Sequence, residues 1–400
     1  MRVSEIQLVD AGDVCQLQAR VASDRDAADG DWFPPFTLWF RFPAWCRPFL
    51  RADNGDPFLA ALLVPAMMSG ERLVIPAPVS PRLLRSLGDI QEIYHSFDTR
   101  LHRIDVETTP RVLPEETTAL TASGLFFSLG VDSFYSLLKN QRDHPDDAET
   151  VRYLIMIHGF DVSHDDWDER FSPRMLANGM RVAEETGKTL LPVTTNLRPI
   201  TRRLSRWNLS HGSALASVAL ALDGLFGQVL IAAGTTYDQL YPWGSHPVLD
   251  PRWSTERLTV VHDGCESGRI EKVRFLASSP LVLETLKVCP YYNCGRCIKC
   301  LPTIIDLHQA GVLDQCTTLP QAIDVVRLRE VFRAYSGQLN IENYQRRLDG
   351  LSATDAPAGL REALTEFLAH EGAPGHVPQP NREDRTSALR TRLGRWGGRV

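Results

Sequence analysis

The stretch "LFFSLGVDSFYSLL", residues 125–138, decides how the chain is read. The apolar run Leu125-Phe126-Phe127 stops at Ser128-Leu129-Gly130-Val131-Asp132-Ser133. Phe134, Leu137 and Leu138 then recur at the spacing of one helical face. The pattern is a strand, a tight turn of small and hydroxyl-bearing residues, and a helix. A helix N-terminus carries unpaired backbone N–H groups and the positive end of the macrodipole. Set behind a parallel strand, it forms an anion site at the carboxyl edge of the sheet. Gly130 lets backbone come close to a ligand, and Ser128 and Ser133 add hydroxyl donors. Asp132 can cap the helix or hold magnesium. The plainer reading of the same residues is an N-capped turn, since Asp and Ser are favoured caps anywhere.

Outward from this junction the rhythm is β-α-β. Strands are expected at "GLFF", "YLIMIH" (153–158), "TLLPV" (189–193), "QVLIAA" (228–233) and "RLTVVH" (257–262). Helices are expected from Asp132, up to Gly187, and over 212–226. Apolar strands without polar alternation suit a parallel sheet covered on both faces. Their alternation with helices predicts an α/β fold, a doubly wound parallel sheet, over residues 116–305. Residues 1–115 read as an α+β accessory domain, with strands at 37–43, 71–80 and 102–108 and a helix at 81–97 that starts on Pro81. Residues 306–372 read as a helical extension, and 373–400, rich in Pro, Gly and Arg, as a mobile basic tail.

With 43% hydrophobic and 23% charged residues among 400, the chain can build a sizeable core. A formal net charge of −6 argues against a general nucleic-acid binder. No basic-then-apolar leader opens the sequence, and no apolar run approaches the roughly 18 residues that span a bilayer. The expectation is a cytoplasmic protein with no membrane partner; a homodimer stays open.

Cysteines crowd in "CPYYNCGRCIKC", where Cys289, Cys294, Cys297 and Cys300 have the spacing C-x4-C-x2-C-x2-C. Four thiolates so close in sequence can wrap one tetrahedral Zn²⁺, with Gly295 easing the turn and Arg296 and Lys299 offsetting charge. Such a site is closed and structural. The competing reading is an iron–sulfur cluster.

The junction at Ser128 resembles the pyrophosphate-binding loop of the PP-loop ATP pyrophosphatases, whose pattern is Ser-Gly-Gly-x-Asp-Ser. Ser128, Gly130, Asp132 and Ser133 match, and Leu129 stands at the first glycine. A left-handed Leu would cost roughly 1 kcal/mol or more, so φ below zero is expected at Leu129. With the cysteine motif, residues 118–305 resemble 7-cyano-7-deazaguanine synthase and its relatives. The resemblance implies ATP with Mg²⁺, bound by Ser128, Leu129, Gly130, Val131, Asp132, Ser133, His158 and Gly234. It also implies catalytic roles for Asp132, Ser133 and Lys272, and zinc beside the active site. The implied reaction adenylates a small-molecule carboxylate, releases pyrophosphate, and lets ammonia or an amine displace AMP to give an amide or nitrile. The first cysteine spacing is shorter than in that family, and residues 1–115 are foreign to it.

The loop "GTTYDQLYPWGSHPVLDPRWSTE" (234–256) follows a strand and gathers aromatics beside polar groups, as a small-molecule pocket requires. Tyr237, Asp238, Tyr241, His246 and Asp250 are its candidate substrate-binding residues; Tyr241-Pro242 and Asp250 carry the family likeness. Aromatics that simply pack on the sheet are the alternative. His211 is a candidate nucleotide neighbour or a capping histidine. Asp161 and Asp165 are candidates for Mg²⁺ or ribose, or belong to an acidic surface loop. Lys272 is a phosphate partner or an exposed strand lysine. Three rival functions remain: sulfur transfer to a nucleoside or tRNA, for which Cys265 is the spare thiol; adenylation-dependent epimerisation; and nucleotide binding without catalysis.

Overall fold

Alternation of polar and apolar residues in "RVSEIQLVDA" and "VCQLQARVA" builds two half-buried strands, β1 (Arg2–Ala11) and β2 (Val14–Ala22). With β3 (Phe36–Pro43) they form an antiparallel meander. The computed structural model describes residues 1–25, 33–112, 122–160, 171–198, 204–290, 292–352 and 356–371. Two short strands, β4 (Leu73–Val74) and β5 (Val106–Glu107), follow. The α/β pattern then gives β6 (Ala122–Phe126), β7 (Val151–His158), β8 (Thr189–Thr195), β9 (Phe226–Ala232) and β10 (Thr259–Asp263).

All ten strands share one sheet, in the order β10-β9-β6-β7-β8-β3-β2-β1-β4-β5. The five strands β10-β9-β6-β7-β8 are mutually parallel. Counted among themselves they run 5-4-1-2-3, so the strand order reverses between β6 and β9. A crevice opens outside the carboxyl ends of the strands at such a reversal. The loops that leave β6 and β9 begin at this point: Ser128–Ser133 and the residues after Ala233.

The fold class expected from sequence is present, as an α/β protein with a mostly parallel sheet. The segment 1–115 is not a separate layer, however. β3 pairs antiparallel with β8 through Phe40↔Thr195 and Arg41↔Thr194, which extends the sheet. Helix α1 (Asp56–Ser69) is apolar around almost its whole circumference, so it is buried on all sides. It lies against the helix Trp207–Ala221, and Phe40, Phe58, Leu191, Leu220 and Val229 belong to one core. The chain divides instead into two compact units, Met1–Pro290 and Tyr291–Val400.

Helix α2 (Pro81–Phe97) has the bounds expected from its sequence; Ser80 caps it by accepting from the Leu83 N–H at 3.2 Å. Helix α3 (Val131–Asp143) follows the Ser128 junction, and α4 (Phe171–Glu185) follows β7. The small-residue helix α5 (Trp207–Ala221) starts earlier than the sequence suggested. "RIEKVRF", a strand only in the alternative reading of Lys272, is helix α6 (Arg269–Leu276), because Gly268 is N-cap and Ile270, Val273 and Leu276 recur at helical spacing on the buried side. In the second unit, helices Cys300–Gln309, Val325–Ala334, Ile341–Asp349 and Leu360–Glu371 enclose a core that includes Leu301, Ile305, Leu328, Phe332 and Phe367. A fully buried Asp306 accepts two bonds from Arg347 there, at 2.7 and 2.8 Å. Among the described residues no helix is long and apolar enough to cross a membrane. Asp161, Asp165 and the tail 373–400 lie outside the described residues.

Candidate functional site

Phe127 closes the ladder of β6 by donating its N–H to the Ile155 carbonyl at 2.8 Å, and the chain then turns into α3. The turn is organised by two hydroxyls. Ser133 Oγ donates to the Gly130 carbonyl at 3.0 Å and receives the Ser128 N–H at 3.3 Å. Ser128 Oγ receives the Gly130 N–H at 3.3 Å. Both N–H bonds are longer than the usual 2.9–3.0 Å. The N–H groups of Leu129, Val131, Asp132 and Ser133 make no hydrogen bond among the described residues. A methyl group at Gly130 would meet only Ser128 Oγ at 3.1 Å and the Lys287 carbonyl at 3.7 Å.

Two expectations fail in this turn. Leu129 has φ 62°, in the left-handed region, where φ below zero was expected. The turn itself demands that conformation, the one a glycine would adopt most cheaply. Leu129 sustains it because its side chain is fully buried and its carbonyl accepts from the Lys287 N–H at 2.8 Å. Nor does Asp132 cap α3. Gly130 occupies the N-cap position with no side-chain cap bond, and Asp132 sits one step inside the first turn.

Asp132 instead faces two cations. Arg269 Nη1 lies 2.7 Å from its Oδ2, and Lys272 Nζ lies 3.2 Å from its Oδ1. The two cations are three residues apart on α6 and so share a face. Lys272 is no exposed strand lysine: it is buried, donates to the Ala233 carbonyl at 2.6 Å, and stands 5.4 Å from the centre of the Tyr135 ring. One ammonium therefore ties the first turn of α3 to the end of β9. Gly234 follows, with nothing within 4 Å of where a Cβ would be. Asp132, Ser133, Lys272 and the Ala233–Gly234 corner are thus gathered at the strand-order reversal. His158, the last residue of β7, ends on the same edge and is half-buried.

The loop after β9 splits its candidates into two groups. Tyr237, Asp238 and Tyr241 are exposed, Tyr237 by 63%. Tyr241 stacks obliquely on Trp243 at 5.4 Å, and Trp243 meets His211 edge-on at 5.1 Å. His211 also bonds through Nδ1 to the Trp207 carbonyl at 3.2 Å, so it belongs to this aromatic file. His246 and Asp250 turn inward. His246 Nδ1 accepts from the Val248 N–H at 3.2 Å, and the ring packs on Phe97 at 5.3 Å. Burial, more than the neighbouring His262 ring, holds the His246 imidazole below its ordinary range. Asp250 is fully buried and accepts from Ser245, His262 and the His246 N–H.

In the stretch 289–300, Sγ atoms of Cys289, Cys294, Cys297 and Cys300 all lie within 4.8 Å of one another, with Cys294 and Cys300 at 4.0 Å. Tetrahedral Zn–S bonds of about 2.3 Å place sulfurs about 3.8 Å apart, so the four can hold a metal such as zinc. The wrapping is local: Tyr292, Asn293 and Gly295 all have positive φ, and a Cβ at Gly295 would lie 2.5 Å from Pro320 Cγ. None of the four is in a disulfide.

No family model, curated protein or solved structure matches this chain. Sequence reading missed Arg269, Thr236 and His262. Arg269 has a faint signal, its i,i+3 spacing to Lys272, which reads only once the segment is known to be helical. Thr236, whose buried Oγ1 has no partner among the described residues, and His262, which meets Asp250 across twelve positions, carry none.

Proposed function

We propose that the chain is an ATP-dependent enzyme that adenylates a small-molecule carboxylate, releases pyrophosphate, and passes the acyl group to ammonia or an amine. The supporting observation is the set of unbonded amides of Leu129, Val131, Asp132 and Ser133 at the N-terminus of α3, placed where the strand order reverses. Such amides are preorganised donors for the oxygens of a departing pyrophosphate. Arg269 and Lys272 add positive charge beside them, and Asp132 holds that charge in place until phosphates compete for it. Mg²⁺ would accompany the triphosphate and screen its charge; Asp132 is the carboxylate available to it, already neutralised by two cations. Adenylation turns a carboxylate oxygen, a poor leaving group, into AMP. The exposed Tyr237, Asp238 and Tyr241 offer stacking and polar contacts to the carboxylate's body. Cys289, Cys294, Cys297 and Cys300 take Zn²⁺ in a closed structural site.

Sulfur transfer is the weaker reading. It needs a thiolate, and burial pushes the Cys265 thiol above its ordinary range despite the nearby Lys272. The test is incubation of metal-analysed protein with ATP, Mg²⁺ and a panel of carboxylates and amines. AMP and pyrophosphate in equal amounts are expected, with one zinc per chain; ADP, or no turnover with any carboxylate, rejects the reading.

A further inference from the structure

The pair Asp250–His262 has no part in the cradle or the cation cluster. His262 is the penultimate residue of β10, so it stands at the carboxyl edge that also carries the Ser128 turn. Its Nδ1 lies 2.7 Å from Asp250 Oδ2. The same carboxylate accepts the Ser245 hydroxyl at 2.7 Å and the His246 N–H at 3.3 Å. A carboxylate only accepts, so in the neutral imidazole the proton sits on Nδ1 and Nε2 presents its lone pair. The His262 side chain is only 3% exposed, and Nε2 has no hydrogen-bond partner among the described residues. Leaving such an acceptor unsatisfied is unfavourable. Neighbouring His246 avoids that cost on its Nδ1, which takes the Val248 N–H. A histidine kept only for structure has no need of a fixed tautomer and a bare, enclosed nitrogen.

We propose that His262 is the catalytic base of the second half-reaction, accepting through Nε2 a proton from ammonia as it attacks the acyl-adenylate, with Asp250 as its positioning residue. This rests on the adenylation reading. The ammonia lone pair forms the C–N bond, and the C–O bond to AMP breaks with its electron pair leaving on the phosphate. One N–H proton passes to Nε2, and Asp250 stabilises the imidazolium. A nucleophile that must shed a proton needs such a base, whereas a thiolate does not. An enclosed acceptor suits the smallest nitrogen nucleophile.

The test uses the full chain with ATP, the carboxylate selected by the panel, and ammonium chloride as nitrogen source. His262→Asn keeps an N–H donor for Asp250 and removes only Nε2. Carboxylate-dependent ATP–pyrophosphate exchange is expected to persist, while ammonium-dependent product formation falls about 100-fold or more. Asp250→Asn, which can donate to Nδ1 and so reverse the tautomer, is expected to give the same split. Hydroxylamine, uncharged at neutral pH, still traps the acyl-adenylate in both variants. Transfer at the parent rate in His262→Asn overturns the proposal, as does loss of exchange and transfer together, which marks a structural role. Absence of exchange in the parent protein overturns the adenylation reading itself.

Discussion

Arg111 meets Asp56 at 2.7 Å and Asp223 at 2.9 Å with its side chain 7% exposed and both carboxylates sealed from solvent. Arg269 meets Asp132 at the same 2.7 Å, yet those two side chains are 28% and 25% exposed. The chemistry is shared; the surroundings are not. Around Arg111 Asn54 also accepts from the guanidinium, and Asp56 accepts the Ser80 N–H at 2.7 Å. Charges so deep have no water to return to, so the cluster is an obligate joint between α1, residue 111 and the end of α5. At the carboxyl edge, solvent can replace either partner, and a surface-accessible pair contributes little. A phosphate can therefore displace Asp132 from Arg269 at low cost. Equal distances thus conceal different surroundings, one cluster fastening α1 and residue 111 to the end of α5 and the other leaving its ion pair open to exchange.

Removing the buried cation breaks the comparison most forcefully. Arg111→Met leaves Asp56 and Asp223 buried without compensation, and a loss of about 3–5 kcal/mol is expected by chemical denaturation. A loss of no more than about 1–2 kcal/mol, the size expected at the exposed cluster, would mean that the two clusters are equivalent after all.

The same joint makes a pH prediction. Burial pushes Asp56 up to about 6, against the pull of Arg111. Because the folded state holds this proton more tightly than the unfolded chain, the contribution of Asp56 is fully present below about pH 4 and is lost as pH rises through 6. Asp56→Asn cannot ionise, so its stability relative to the parent should improve steadily from pH 4 to pH 7. A pH-independent difference sinks the assignment.

What the sequence made legible was local. The Ser128 junction, the cysteine spacing and α2 are each written within a few residues, by a change of period, a ligand interval or a first-turn proline. Helix α1 was not legible: "FLAALLVPAMM" has no amphipathic period and contains Pro65, because the helix is buried on all sides. The merging of residues 1–115 into the sheet depends on the β3–β8 pairing, which no local pattern encodes. At the site, Asp132–Arg269 and Asp250–His262 are through-space pairs. With no helix assigned to "RIEKVRF" the first stayed hidden, since Arg269 and Lys272 share a face only on a helix.

At the carboxyl edge, Asp132→Asn tests whether the exposed cluster also supports the fold. Lys272 would keep the Ala233 carbonyl but lose its carboxylate, a charged hydrogen bond contributing about 1.5–3 kcal/mol. Solvent access at Asp132 lowers that figure, so a loss of about 1–2 kcal/mol is expected in denaturation, clearly less than for Arg111→Met. A loss as large as at Arg111 would show that Asp132 is committed to structure and not available for exchange.

Leu129→Gly probes the smallest term, because two effects oppose each other there. Glycine relieves the left-handed backbone, a gain of roughly 1 kcal/mol. It also removes a fully buried leucine side chain, whose burial is worth about 1.5–3 kcal/mol. The difference is a net loss of about 1 kcal/mol. The Lys287 N–H bond to the residue 129 carbonyl needs no side chain and should persist. If the variant instead gains stability, the leucine is strained beyond what its burial offsets. The turn would then be held open against its own preference, and ATP should bind the glycine variant more tightly in a calorimetric titration.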